Sequence, residues 1–162
     1  MEKFELVDKN GNKTGKVITY KEACNSDNIP SEYYLSVVGV VIINDNNEIL
    51  LQKRSKFKKS NPSKWEICGG KVRLKEETTD AGVREVFEEI GVLLDKNKLK
   101  IIRKATNGKA YFTIYFIRKN VDISECILQE KEVEEVRYYK IEELVHLESE
   151  GFEWLEGLKK NI

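Results

Sequence analysis

Residues 84–92, REVFEEIGV, place three carboxylates close together in a segment whose pattern predicts a helix. Glu85, Glu88 and Glu89 fall within an arc of roughly 100° when each residue advances by about 100°. Apolar residues occupy the opposite side and predict the buried stripe: Val83, Val86, Phe87 and Ile90. Arg84 can pair with Glu88, but no basic residue at helical spacing serves Glu85 or Glu89. This face is therefore either a solvated acidic surface or a binding site for an external cation.

The residues before this segment extend it into a longer pattern. Gly70 is followed after five residues by Glu76, and after seven more by Arg84-Glu85-Val86-x-Glu88-Glu89-x-Gly91-Val92. The stretch matches every defined position of G-x5-E-x7-R-E-U-x-E-E-x-G-U, in which U is aliphatic. That pattern is the Nudix box, and residues 70–92 therefore resemble the Nudix hydrolase family. An isolated E-x-x-E-E is typical of a solvated helix face, whereas the complete pattern favours a metal site.

The resemblance implies a chemistry. Nudix enzymes hydrolyse a diphosphate bond, usually in a nucleoside diphosphate linked to another group X, by attack of water at phosphorus. It implies that Glu85, Glu88 and Glu89 bind Mg²⁺, or Mn²⁺ in its place, and that the Gly70 carbonyl is a further ligand. Mg²⁺ prefers oxygen ligands, and such an ion neutralises charge on the transferring phosphoryl group.

The same resemblance assigns roles to residues around the metal ligands. It implies that Arg84 orients the glutamates, and that Glu76 helps near the metal or braces the loop. The general base is one of the metal-binding glutamates or a later one. Nudix proteins often take a further ligand or base from an acidic loop, which here contains Glu132, Glu134 and Glu135; Glu132 is our candidate.

Arg54 is the candidate for binding substrate phosphates. It ends a strand pattern and belongs to a basic run that contains Lys53, Lys56, Lys58, Lys59 and Lys64. The alternative for the lysines is a solvated loop. The box loop also departs from the family pattern at two positions. Lys75 stands where a glycine with positive φ is common, and Arg73 replaces a frequent glutamate.

The helix that carries the box is expected to begin near Thr78 or Thr79 and to end at Gly91, a residue type favoured just after a helix. Val- and Ile-rich residues 33–43 predict a buried strand. Asn-Gly pairs at 10–11 and 107–108 predict hairpins. A terminal amphipathic helix is expected from three apolar residues: Phe152, Leu155 and Leu158.

These elements predict an α/β fold, a Nudix-type α/β/α sandwich around a mixed β-sheet. Residues 1–22 add an N-terminal β-hairpin. We expect residues 1–162 to form a single Nudix hydrolase domain, since a chain of this length supports one sizeable core. Closed twofold dimers are common among soluble proteins and in this family, and a homodimer is a possible assembly.

Composition narrows the class of partner. Lys+Arg and Asp+Glu both number 28, so net charge gives no reason to expect a nucleic acid or an anionic membrane. No apolar run approaches the ~18–20 residues needed to span a bilayer. Three scattered cysteines without CxxC spacing indicate reduced thiols and a cytoplasmic location. With one histidine in the chain, a metal site must use mainly oxygen ligands.

Two alternatives to a hydrolase stay open. The hairpin, together with the LLQKRS and KWEICGG segments, resembles the branch related to isopentenyl-diphosphate isomerase, in which a catalytic cysteine precedes a glycine. Cys68 occupies a similar place, although such isomerases use several histidines and this chain has only His146. The other alternative is a non-catalytic Nudix module that binds a nucleotide. The substrate, a small diphosphate compound, cannot be identified further from these residues.

Overall fold

A mixed β-sheet forms the centre of the protein. The computed structural model describes residues 1–147 and 152–162. The strands are β1 (Lys3–Val7), β2 (Lys13–Thr19), β3 (Leu35–Ile43), β4 (Glu48–Arg54), β5 (Trp65–Glu66), β6 (Cys68–Lys71), β7 (Lys100–Asn107), β8 (Ala110–Arg118) and β9 (Val133–Lys140). The α-helices are α1 (Tyr20–Ala23), α2 (Thr78–Ile90) and α3 (Leu155–Lys159).

The central sheet contains seven strands, β3 to β9. β3 and β8 are parallel, and every other pair in this sheet is antiparallel. β3 and β4 pair directly only where Ile42 and Ile43 face Leu50 and Ile49. Beyond that point β3 and β4 separate. There β5 pairs with β4, and β6 pairs with β3. The mixed sheet expected from the sequence is confirmed.

Each face of the sheet is covered by a separate apolar cluster. On one face α2 contributes Val86 and Ile90 to a cluster with Val40 and Ile42 of β3. On the other face, the C-terminal segment packs Trp154 and Leu158 against the sheet. Full burial of such side chains contributes ~1.5–3 kcal/mol each. The predicted α/β/α sandwich is therefore confirmed.

The N-terminal hairpin is also confirmed, but it forms its own two-stranded sheet. β1 and β2 are antiparallel, and Phe4, Leu6 and Ile18 pack in a cluster with residues that precede β3. A bridge between Val7 and Tyr34 joins the hairpin to the approach of β3. The Leu74 N–H donates to the Lys3 carbonyl at 2.8 Å, which places the hairpin beside the loop that leads into α2.

Helix α2 has the bounds that the sequence predicts, with a different buried face. It begins at Thr78, and Gly91 ends it in the left-handed conformation with φ 73°. The expectation that Phe87 is buried is wrong: its side chain is 55% exposed. Glu89 is buried instead. Compared with the predicted stripe, the buried face of the helix is shifted towards Glu89, whose carboxylate accepts hydrogen bonds from β4 and β6.

Candidate active site

The site is built where α2 crosses β6. Val38 of β3 pairs with Gly70, which brings the β6 backbone under the helix. A Cβ atom at Gly70 would lie 2.4 Å from the carboxylate of Glu85. Only a residue without a side chain therefore allows the helix carboxylate to lie against the β6 backbone.

Glu89 is the most buried of the three glutamates on α2, with 7% exposure. It accepts hydrogen bonds from the Gly69 N–H at 2.9 Å and from Gln52 Nε2 at 2.8 Å. The Cys68 thiol donates to Gln52 Oε1 at 3.2 Å, so the amide is held from both ends. Burial raises the pKa of Glu89 to about 8, although these hydrogen bonds oppose the shift.

Arg84 is shared among several carboxylates. Its guanidinium donates to Glu76 at 2.8 and 2.9 Å, to Glu85 at 2.8 Å and to Glu88 at 3.3 Å. It also donates to the Lys71 carbonyl at 3.0 Å, which ties α2 to β6. Although burial opposes it, hydrogen bonds from Arg84 and the Arg73 backbone lower the pKa of Glu76. The planar fork of arginine suits this arrangement because it donates in several directions at once.

Glu88 lies at the open edge of the site. Its side chain is 41% exposed, and Arg73 Nη2 lies 3.6 Å from its carboxylate. Arg73 also donates to Glu2 at 2.7 Å, so it links the site to the start of the chain. Lys75 adopts a positive φ of 68° at the position where the family pattern has a glycine. This conformation is uncommon for a residue with a side chain.

The donor set fits a hard divalent cation, but the side chains are engaged with protein groups. Among the described residues, no three acidic, histidine or cysteine side chains converge as a ready metal site. Arg84 holds Glu85 and Glu88, while Gln52 and the Gly69 N–H hold Glu89. All the donors are carboxylate or carbonyl oxygens, which Mg²⁺ prefers. A bound cation therefore competes with Arg84 for carboxylate oxygens.

Arg54 lies beside the site but is already paired. It donates to Glu66 at 3.0 Å and to the Ser60 carbonyl at 2.9 Å. It also lines a cavity of about 580 Å³ that reaches Gly69 and Gly70. Aromatic and apolar side chains from the opposite sheet face complete this cavity: Phe112, Ile114, Phe152 and Trp154.

Glu132 forms an ion pair with Lys58 and does not join the glutamates of α2. Its backbone carbonyl also accepts from the Ser55 N–H at 2.9 Å. Two of the lysines from the basic run are thus used to neutralise the acidic loop, since Lys53 lies 3.6 Å from Glu134.

Sequence reasoning did not find Gln52 or the Gly69 N–H as partners of Glu89. A neutral glutamine within a strand carries no signal of this role. The Gly69-Gly70 pair can be read from the sequence. That its backbone lies against the carboxylates of Glu89 and Glu85 depends on the pairing of β6 with β3.

Comparison with known proteins agrees with this geometry. The NUDIX domain matches residues 34–158. An uncharacterised Nudix hydrolase of Listeria monocytogenes is 34% identical over 152 residues, which span 93% of this chain and 87% of that protein. The chain belongs to the Nudix hydrolase family. As a Nudix hydrolase it is an enzyme that acts on diphosphate bonds.

Solved structures share the fold of this Nudix hydrolase. A crystal structure of a Deinococcus radiodurans protein has a TM-score of 0.73 at 18% identity and covers 98% of both chains. The NUDIX domain of Shewanella oneidensis NrtR, crystallised with ADP ribose, has a TM-score of 0.66 at 16% identity. That match covers 89% of this chain and 99% of that one. Within the part of the chain that the structure describes, no helix is long and apolar enough to cross a bilayer.

Proposed function

We propose that this Nudix hydrolase cleaves a diphosphate bond in a nucleoside diphosphate linked to another group, by Mg²⁺-dependent attack of water at phosphorus. The observation that carries the proposal is the acidic face of α2 against Gly70. There, Arg84 is paired with Glu85 and Glu88, neutral donors hold Glu89, and Glu85 lies where a side chain at position 70 would be. Mn²⁺ can take the place of Mg²⁺ in such an oxygen site.

Glu85, Glu88, Glu89 and the Gly70 carbonyl would hold the ion, which when bound withdraws charge from the phosphoryl oxygens. Around it, the chain's own residues fix positions. Arg84 holds Glu85 and Glu88. Neutral donors hold Glu89 in a buried position: the Gly69 N–H donates to one carboxylate oxygen and the Gln52 side chain of β4 donates to the other.

One of the α2 glutamates accepts the proton of the attacking water. Glu132 is a weaker candidate as base or further ligand because Lys58 neutralises it. Arg84 orients these groups, and Glu76 fixes Arg84 through two hydrogen bonds. Glu76 therefore acts as a brace for the arginine.

The organic part of the substrate is proposed to occupy the cavity of about 580 Å³ next to Gly69 and Gly70. This volume lies within the range of small-molecule sites. Phe112 and Phe152 supply apolar surface for a ring, and Arg54 offers a positive charge near its rim. The bound ADP ribose in the Shewanella oneidensis protein supports a nucleoside diphosphate derivative as the substrate class.

The test is phosphate or nucleotide release from a panel of nucleoside diphosphate derivatives with Mg²⁺. The native chain is compared with Glu88→Gln and Glu89→Gln, and with Glu134→Gln as a control for an acidic residue paired outside the site. We expect turnover of at least one compound, lost by orders of magnitude in the first two variants and kept in the control. Equal background release in all four proteins would overturn the proposed site for the compounds tested.

The isomerase alternative depends on Cys68 as a reactive thiol. Burial raises the pKa of this thiol well above its usual value, and nearby carboxylates add to the shift. Its proton is donated to Gln52. A buried, protonated thiol suits a structural role. The isomerase alternative predicts instead that the native chain releases no phosphate and that Cys68→Ser abolishes its activity.

A further inference from the structure

A second cavity, of about 250 Å³, lies on the side of the sheet that faces α2. The N-terminal hairpin forms one wall, and the loop from Val72 to Thr78 forms another. Its floor comes from β3, β7 and β8, through Ser36, Lys104 and Thr113. Gly69 and Gly70, which border the larger cavity, do not line this one.

Three largely buried residues on the floor have hydroxyl groups that make no hydrogen bond with the described residues and stay accessible from the cavity. Ser36 is 8% exposed, Thr113 is 4% exposed and Tyr111 is 7% exposed. All three line the cavity, and Ser36 faces Tyr111 across the strand pair. By contrast, the neighbouring Tyr115 hydroxyl is hydrogen-bonded to Thr78 Oγ1 at 2.6 Å.

The charged groups around the cavity leave an excess of positive charge. Each lining carboxylate is engaged: Glu5 accepts from the Gly15 N–H at 2.8 Å, Glu76 accepts from Arg84, and Glu77 lies 3.7 Å from Lys13. Lys75 and Lys104 have no ion-pair partner among the residues that the structure describes. Two lysines are thus available to a negatively charged ligand.

The first turn of α2 adds to this field. Glu77 and Thr78 line the cavity, and Glu77 precedes the helix without making a side-chain cap hydrogen bond. The first N–H groups of a helix carry partial positive charge and favour anions when no side chain caps them. The helix of 13 residues therefore presents a partly positive end to the same space as the two lysines.

We propose that this cavity binds a small phosphate-class anion, either inorganic phosphate or a phosphomonoester of sugar size. The three hydroxyl groups would donate to its oxygens, while Lys75 and Lys104 would balance its charge. Small-molecule sites for larger ligands have volumes of roughly 300–1,000 Å³, so a complete nucleoside diphosphate derivative is too large. The site is separate from the proposed active site, and its ligand is not the substrate.

A ligand in this cavity would contact the loop that holds the active site. Arg73 and Glu76 line the cavity, and they are the residues that contact Glu88 and Arg84. Arg73 Nε is buried there without a hydrogen-bond partner. Phosphate is also the chemical class of the products of diphosphate hydrolysis, so this position suits feedback by a product.

The test is a titration of the full chain with inorganic phosphate, followed by amide NMR shifts at constant ionic strength, and repeated with ribose 5-phosphate. We expect saturable shifts at Ser36, Thr113 and Thr78. Lys104→Met and Thr113→Val should each weaken binding by roughly tenfold. Lys100→Met is the matched control, since Lys100 lies on the same strand but outside the cavity.

Lys104 is exposed, so its variant tests the site even if Thr113→Val disturbs the fold. Tighter binding of ribose 5-phosphate identifies a phosphomonoester as the ligand class, whereas equal binding identifies free phosphate. Shifts confined to Gly69, Gly70 and Arg54 would show phosphate in the active site only and would overturn the proposal. Absence of saturation at millimolar phosphate, or equal affinity in Lys104→Met and Lys100→Met, would also overturn it.

Discussion

Two acidic clusters of similar sequence have different charge environments in this fold. At the start of β9, each carboxylate has its own cation: Glu132 with Lys58, Glu134 with Lys53 at 3.6 Å, and Glu135 with Arg137 at 2.6 Å. On α2, Arg84 is shared by Glu85 and Glu88, and Arg73, which lies 3.6 Å from Glu88, also contacts Glu2. Glu89 is held by neutral donors alone.

The difference distinguishes the proposed metal site from an acidic surface. Both clusters are glutamate-rich, and neither composition nor local spacing outside the box separates them. The fold gives each β9 carboxylate its own cation, whereas on α2 the arginines are shared and Glu89 has no ion-pair partner among the described residues. A buried, incompletely neutralised carboxylate group is unfavourable unless a cation or a proton joins it. We therefore propose the α2 cluster, and not the β9 cluster, as the one that binds a metal ion.

The largest effect is expected from Gly70→Ala, which tests the close approach in the α2 cluster. The added Cβ would lie 2.4 Å from the Glu85 carboxylate, and this side chain must move. Displacement of a catalytic group by about 1 Å can reduce turnover by ~100-fold, and we expect a loss of that order in steady-state hydrolysis. The control is Gly15→Ala on β2, where no atom lies within 4 Å of the added carbon. Its φ of 81° strains an alanine and should lower stability, but the activity of the folded protein should be kept. Unchanged activity in Gly70→Ala would contradict the proposed geometry.

Arg84→Gln tests whether one arginine holds the α2 cluster together. Its guanidinium is 17% exposed and donates to three carboxylates. Removal of one partner from a largely buried ion-pair network costs about 3 kcal/mol. We expect a loss of about 2–3 kcal/mol in the free energy of unfolding, measured with denaturant. The comparison is Arg137→Gln at the β9 cluster, where the loss of an exposed ion pair should lower stability far less. Similar losses in both variants would remove the distinction between the clusters.

The pH dependence of stability tests the burial of Glu89. Its pKa is raised to about 8 in the folded chain, so the folded state keeps this proton at pH values where the unfolded state has lost it. Stability therefore falls as pH rises from the ordinary carboxyl pKa towards about 8. We expect a loss on the order of 2 kcal/mol between about pH 6 and pH 8 in metal-free protein. Glu89→Gln should flatten this slope, and the same slope in both proteins would show that another group is responsible.

The smallest effect is expected at Cys68, which acts on the α2 cluster through Gln52. The thiol donates to Gln52 Oε1, and this fixes the amide so that Nε2 points at Glu89. Cys68→Ala removes the donor and should cost about 1 kcal/mol of unfolding free energy. Cys68→Ser keeps a donor and should retain stability and activity. Equal behaviour of the two variants, measured by denaturant unfolding, would show that the hydrogen bond does not matter.

Much of this architecture follows from local sequence. The α2 bounds depend on the capping preference of Gly91, and the hairpins depend on Asn-Gly turns. The positive φ of Lys75 follows from the position that it occupies in the box loop. These features involve neighbours within a few residues, so the chain encodes them directly.

The partners of the site residues depend on long-range pairing and were not predictable in the same way. Gln52 and Glu89 are 37 residues apart in sequence. They meet because β5 pairs with β4 and β6 pairs with β3. Arg54 is paired with Glu66 for the same reason. Phe87 fits the apolar stripe that the sequence predicts. In the structure the hydrogen-bonded Glu89 lies on the buried face instead, and Phe87 is exposed. In each case tertiary contacts override the local pattern.

The most direct test of the central claim is a Mn²⁺ titration of the metal-free protein, followed by electron paramagnetic resonance. The native chain is compared with Glu88→Gln on α2 and with Glu134→Gln at the β9 cluster. We predict saturable binding in the native chain, weakened by at least roughly tenfold in Glu88→Gln and unchanged in Glu134→Gln. Equal binding by Glu88→Gln and the native chain, or a loss of binding in Glu134→Gln instead, would contradict the claim that the α2 cluster recruits the metal.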